Sequence, residues 1–308
     1  MTQALPQRVP LRDFDLLEVR GPDSLKFLQG QLTCDTRRFS ADALTHGAHC
    51  TPKGRMIANF DALAPSEELV LLRLRRDALP LLSTSLGKYI VFSKAELSAP
   101  GGEAPVGLLG EHLLDWLQQH LDLDFSQQTV QQQGGLLYIK RDQQRVECWP
   151  VDEANLPDVV AELPQADNET AWLAAEIALG RGWIGAATSD TLLPQQLHLQ
   201  VEAIDGVSFT KGCYTGQEII ARTHYKGKVK RALHRLQADS EISLAEGTDL
   251  HNGAGSIVGS IVNAVSYANC TQCLAILSED VAQADDVFVD KNATQKLTPL
   301  PLPYAINT

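Results

Sequence analysis

"KGCYTGQE", residues 211–218, sets a cysteine between a glycine and a tyrosine just ahead of what reads as the start of a helix. Thr215 followed by Glu218 fits the S/T-x-x-E capping box, in which each side chain satisfies a backbone N–H left free by the first helical turn. That reading puts Cys213 just outside the positive end of a helix. Free N–H groups and aligned peptide dipoles favour an anion there, and Lys211 is close along the chain, so the thiol is expected to ionise more readily than a free cysteine. The plain alternative is a small residue buried in a tight turn, since a free cysteine packs as a hydrophobe. The pattern fixes no general base: the eight histidines are dispersed, and His224 is the nearest along the chain.

A chain of 308 residues points to two or three domains, and a hydrophobic fraction of 44% is ordinary for globular cores. The start, "MTQALPQRVPLRDFDLLEV", has no apolar stretch behind a basic end, and no run approaches bilayer length, so a cytoplasmic chain is expected. The six cysteines are scattered, which fits reduced thiols better than a disulfide framework.

The 26 basic and 38 acidic residues give a net charge of −12. Such a chain is a poor match for a polyphosphate backbone, so direct tRNA binding is not expected without a local patch. The densest basic run, "RTHYKGKVKRALHR", carries Arg222, Lys226, Lys228, Lys230, Arg231 and Arg235. It reads as a solvated strand or turn, or as an anion site for a polyglutamate tail or phosphate.

Outward from the cysteine motif, the pattern is α+β. "LLEVRGPDSLKFLQGQLTCDT" reads as strand, turn and a helix beginning near Ser24. Strands are expected at "ELVLLRL", "YIVFSKAEL" and "LLYIKR", and helices at "DALPLLSTSLGKYI", "GLLGEHLLDWLQQHL" and "AWLAAEIALGRGWIG", the last stopped by Gly180. Strands and helices alternate without a long parallel βαβ rhythm. After Tyr225 the segments "ALHRLQA", "TDLHNGAGSIVGSIVNAVSY" and "CLAILSEDV" are short and β-branched with Asn-Gly and Gly-Ser breaks, which suggests a small β-barrel or sandwich.

Three further stretches bear on chemistry. Cys270 and Cys273 form a lone C-x-x-C that leads into an apparent strand. Zinc wants four ligands and a redox pair wants a helix start, so this reads as a turn and no metal site is expected. "HCTPKGRM", residues 49–56, reads as a hairpin turn whose Lys53 and Arg55 could face an anion, and "LLPQQLHLQ" as an amide-rich turn.

Taken in order, "QGQLTCD", "KGRM", "VFSKAEL", "LLPQQLHLQ", "KGCYTGQEIIAR" and the closing "PLPY" resemble the YgfZ-type folate-binding, tRNA-modifying proteins, relatives of the glycine-cleavage aminomethyltransferase. The likeness spans nearly the whole chain. Its most specific part is Lys211, Gly212, Cys213, Tyr214, Gly216, Gln217 and Glu218. The resemblance implies a three-domain, aminomethyltransferase-like architecture: a discontinuous first domain over 1–95 and 168–225, a ferredoxin-like middle domain over 96–167, and a C-terminal β-barrel over 226–308. It implies bound tetrahydrofolate or a one-carbon derivative, held by aromatic residues at Phe14 and Trp172, with Lys226, Lys228 and Arg231 open to a polyglutamate tail. Phe14 stands where the best-known relative has tryptophan.

What the resemblance implies about function is support of iron–sulfur enzymes such as the tRNA methylthiotransferase, with Cys213 and Lys211 as the functional thiol and its neighbour. An accessory factor, monomeric and without turnover, is the expectation, and any effect on tRNA is indirect. A folate-dependent aminomethyl transferase is the alternative. The Thr-Gly-Glu-x-Gly-Tyr type stretch of those enzymes has no counterpart between Leu97 and Glu169. Two departures from the family pattern touch the cleft: residues 177–180 read Ile-Ala-Leu-Gly and lack the family's glutamate, and His198-Leu199 replaces Asn-Leu.

Overall fold

The computed structural model describes residues 4–99, 105–152, 154–227 and 229–306. The first third of the chain forms β1 (Gln7–Pro10), β2 (Phe14–Arg20), α1 (Ser24–Gln29), β3 (Thr45–Cys50), β4 (Met56–Ser66), β5 (Leu69–Arg75), α2 (Leu79–Ile90) and β6 (Glu96–Ser98). There follow β7 (Val106–Leu109), α3 (Leu113–Leu121), β8 (Val130–Gln133), β9 (Leu136–Lys140), β10 (Arg145–Pro150), α4 (Asp158–Ala161) and α5 (Thr170–Ala178). The last part forms α6 (Gln217–Lys226), β11 (Ala232–Ala238), β12 (Asp249–His251), β13 (Ile257–Tyr267), β14 (Cys270–Leu277), α7 (Glu279–Gln283) and β15 (Thr298–Leu300). The described elements make three five-stranded sheets, and the chain divides into two compact units.

The first unit comprises 1–29, 36–45 and 60–172. One of its sheets runs β1-β7-β10-β9-β8, antiparallel throughout. Alternation along its strands sorts two cores, because successive side chains point to opposite faces. Tyr138, Val146 and Cys148 face α3, packing on Leu113 and Leu117. Leu137, Ile139 and Trp149 face the other way, onto Leu16, Leu63, Leu69 and Leu71 of β2, β4 and β5. Those strands, with β6, form an antiparallel run in the order β4-β5-β2-β6. Of the segment 96–167, β7 to β10 lie in the first sheet, whereas β6 pairs with β2 in the other.

The second unit comprises 30–35, 46–59 and 173–308. Its sheet runs β12-β13-β14-β11-β15. The β13–β14 hairpin closes on Ala268 and Asn269, both at positive φ (52° and 61°), the two-residue geometry that matches strand twist. All strands after Lys226, where α6 ends, fall in this one sheet. The expected closed barrel is not formed among the described residues. β12 and β15 are three-residue edges, too short for a closing ladder, and beyond β12 only single bridges join His251 to Phe288 and Phe288 to Lys296.

Three local expectations are corrected. In "YIVFSKAEL" the strand is only β6; Tyr89 and Ile90 finish α2, and Phe92 lies 90% exposed in the turn that follows. The first leucines of "GLLGEHLLDW" belong to β7, since apolar runs shorter than a strand and a helix together do not reveal their junction. The third concerns the cysteine motif: Gly216, at φ +86°, caps α6, which starts at Gln217 without any side-chain cap. Thr215 Oγ1 instead donates to Gln31 Oε1 (3.3 Å), and Glu218 is exposed.

Candidate functional site

In the first unit, the two ring residues sit in one buried layer between the sheets. On β5 the alternation that buries Leu69 and Leu71 also turns Arg73 inward, and on β10 the face of Trp149 carries Glu147 and Arg145. Arg73 Nε donates to Glu147 Oε1 (3.0 Å), which also accepts from Trp149 Nε1 (2.9 Å). Arg141 Nη1 donates to Asp61 Oδ2 (2.6 Å), and Arg73 Nη1 lies 3.9 Å from the same oxygen. Two guanidinium groups and two carboxylates thus balance in a place water does not reach, where an unmatched charge would be costly.

Phe14 and Trp172 are both fully buried. The Arg73 guanidinium carbon stands 3.4 Å from the centroid of the Phe14 ring, and that of Arg145 stands 4.9 Å from the Trp172 ring. Trp172 also lies against Gly107 of β7, the cross-strand partner of Glu147; a Cβ there would meet the indole at 2.7 Å. Neither ring offers a face to solvent. Among the polar atoms of the layer without a hydrogen bond are Trp172 Nε1, a donor, and Glu147 Oε2, an acceptor that lies 3.8 Å from Arg141 Nε. At its edge the Asp13 amide donates to Glu169 Oε1 (3.0 Å), and Asp13 pairs with Arg75 (2.9 Å). Burial, and then the Asp13 charge, push the Glu169 carboxyl up to about 7.

In the second unit, the cysteine motif is held by the other quoted stretches. Lys211 is buried and its ammonium donates to the carbonyls of Leu32 (2.8 Å) and Cys34 (2.6 Å), 5.1 Å from the centre of the Tyr214 ring. The Thr215 amide donates to Gly30 O, and Ser208 N to Thr33 O. Gly216 fits against the β3–β4 turn: a Cβ would meet Thr51 O at 2.7 Å and Gly54 Cα at 3.0 Å. "QGQLTCD", "CTPKGR" and "KGCYTGQE" are therefore one packed structure, on which Gly212 and Cys213 lie exposed. Tyr214 is buried and burial pushes its phenol up, whereas Cys213 is exposed. Cys34 and Cys50 are buried near the Tyr214 phenol, and burial pushes the Cys50 thiol up.

Of the basic run, Lys226 and Arg231 are exposed, and Lys228 lies outside the described residues. Cys273 is buried within β14 and Cys270 donates to Tyr267 O (3.1 Å), so the C-x-x-C is the mouth of a hairpin. His198 takes a left-handed conformation (φ 61°) that suits asparagine and histidine alike. Its Nδ1 lies 3.2 Å from Tyr304 Oη, which donates to Gly180 O, so "PLPY" is the strap over the end of α5. Sequence reasoning missed the Arg73, Arg141, Asp61 and Glu147 quartet; the available signal was a charge at an inward position of two otherwise apolar strands, "LVLLRLR" and "RVECWP".

The fold class these sheets define is that of the glycine-cleavage aminomethyltransferase. The solved glycine cleavage system aminomethyltransferase T from Bartonella henselae superposes with a TM-score of 0.75 over 98% of this chain and 87% of its own, at 14% identity. No protein-family model matches the chain. Among curated proteins it is 33% identical over 307 residues to the tRNA-modifying protein YgfZ of Yersinia enterocolitica, covering 97% of this chain and 92% of that one. It is 32% identical over 301 residues to that of Aliivibrio fischeri. The chain belongs to the YgfZ family of tRNA-modifying proteins.

Proposed function

We propose that this chain is a tetrahydrofolate-binding accessory protein that supports iron–sulfur enzymes, the tRNA methylthiotransferase among them, and so sustains methylthiolation of tRNA adenosine. The observation that carries the folate reading is a buried donor and a buried acceptor of the ring layer that make no hydrogen bond, Trp172 Nε1 and Glu147 Oε2. A buried donor and acceptor without hydrogen bonds cost stability unless something binds them, and a pterin carries matching polar edges on a flat apolar ring. Phe14 and Trp172 would line such a ligand, with Arg73 and Arg145 behind them. Bound tetrahydrofolate would supply a one-carbon carrier; the protein's part is to hold it and keep water out.

Cys213 is the functional thiol in this reading. It is an exposed cysteine presented by a turn that Lys211, Gly216 and Thr215 brace from within. Lys211 acts as a brace rather than as a reactive group. The experiment is the methylthiolated adenosine content of bulk tRNA in cells whose only copy carries Cys213→Ala, with protein abundance checked. Loss as deep as in a deletion strain is expected. Wild-type content would show that the thiol is dispensable. Purified protein is expected to release no formaldehyde or methylene-tetrahydrofolate from an aminomethyl donor; turnover would make it a transferase instead.

A further inference from the structure

The exposed side of α6 combines rings and cations in a way the folate reading does not use. Arg222, Tyr225 and Lys226 are spaced three and four apart and so share one helix face, and Lys230 and Arg231 follow in the next turn of chain. All five are exposed. The four cations make no ion pair among the described residues, although the chain has a net charge of −12. The aromatic part is built rather than incidental. The His224 ring stacks on Phe209 with centroids 3.8 Å apart and planes at 14°. Tyr225 meets both edge-on, at 4.8 Å from His224 and 5.9 Å from Phe209, which fixes its ring while leaving the residue 67% exposed.

We propose that this face binds single-stranded RNA, with an unpaired base stacked on Tyr225 and the flanking phosphates on Arg222, Lys226, Lys230 and Arg231. A held ring beside a row of unpaired cations is what single-strand binding needs: stacking that tolerates any base, and electrostatic tracking of the backbone. A folate polyglutamate tail would use the cations but has no flat group for the ring, so it leaves Tyr225 without a role. A duplex keeps its bases stacked internally and offers the ring nothing. The net acidity of the chain is compatible with this, because binding depends on the local surface within about a Debye length, roughly 10 Å at 0.1 M salt.

The test is fluorescence anisotropy of a labelled single-stranded RNA of about 12 nucleotides, titrated with the full chain at several salt concentrations. Wild type is expected to bind, more weakly as salt rises. Tyr225→Ala is expected to weaken binding about fivefold to a hundredfold, the range for one lost base stack. Tyr225→Phe should stay within about twofold of wild type, since it keeps the ring. Arg222→Ala with Lys226→Ala should lower both the affinity and the salt slope. Tyr225 is exposed enough for its alanine variant to keep the wild-type melting temperature, and tetrahydrofolate affinity should be unchanged in both Tyr225 variants. No binding by wild type at low salt, an unchanged affinity in Tyr225→Ala, tighter binding of the matching duplex, or equal competition by oligoglutamate would each overturn the proposal.

Discussion

Gly216 shows how one residue can decide a site. Its φ of +86° and the 2.7 Å that a Cβ would leave to Thr51 O make alanine doubly unfavourable there. Gly216→Ala is expected to cost about 1–3 kcal/mol from the backbone alone, with the clash added, and to disorder the Cys213 turn. Gly134→Ala, also at positive φ (+59°) but with open space around it, is the control and should cost only about 1–2 kcal/mol. Urea midpoints of the two variants check this. His198 gives a prediction in pH. Burial, and then His234, hold its pKa down to about 4 from 6.5. The unfolded chain therefore binds this proton first as pH falls. The stability that neutral His198 contributes is fully present above about 6.5 and is lost between there and about 4. His198→Asn suits the same left-handed backbone and carries no titrating ring, so its melting temperature should fall less over that window. An equal fall in both proteins would assign the acid sensitivity elsewhere.

At the scale of elements, the informative feature is a charge layer inside an otherwise apolar sandwich of strands. Glu147→Gln removes one of the two carboxylates of the quartet and is expected to cost about 3–5 kcal/mol. Arg73→Leu combined with Glu147→Leu keeps the Arg141–Asp61 pair and should cost clearly less than the two single changes summed, as residues in one network couple. Chemical denaturation of the three variants reads this directly. Most strands were legible in the sequence because their alternation survives: β5, β9 and β11 fall where "ELVLLRL", "LLYIKR" and "ALHRLQA" predict them. The strand forecast across "YIVF" failed because β-branched residues closing a helix look like a strand in isolation. The capping box failed for a different reason: the Gln31 side chain, distant in sequence, takes the Thr215 hydroxyl, and Gly216 ends the turn by conformation alone. The quartet was hidden because Arg73, Asp61, Arg141 and Glu147 come from strands that no local pattern pairs.

For the whole molecule, the family was legible because the motif residues are spread along the chain yet serve one structure. Lys211, Thr215 and Gly216 hold the segments around Leu32 and Thr51, so stretches far apart in sequence meet in one structure. The placement of Phe14 and Trp172 in a common layer was legible only through the resemblance, as neither residue has a distinctive local pattern. Two predictions act at this scale: the loss of tRNA methylthiolation with Cys213→Ala, and RNA affinity on α6 that is separable from folate affinity. The central claim is that tetrahydrofolate occupies the ring layer. The most direct measurement is a calorimetric titration of tetrahydrofolate into the wild-type chain and into Trp172→Phe, which keeps an aromatic ring but removes the unpaired N–H. The account predicts saturable binding by wild type and about tenfold weaker binding by the variant, at a similar melting temperature. No binding by wild type, or the same affinity in both proteins, would contradict it.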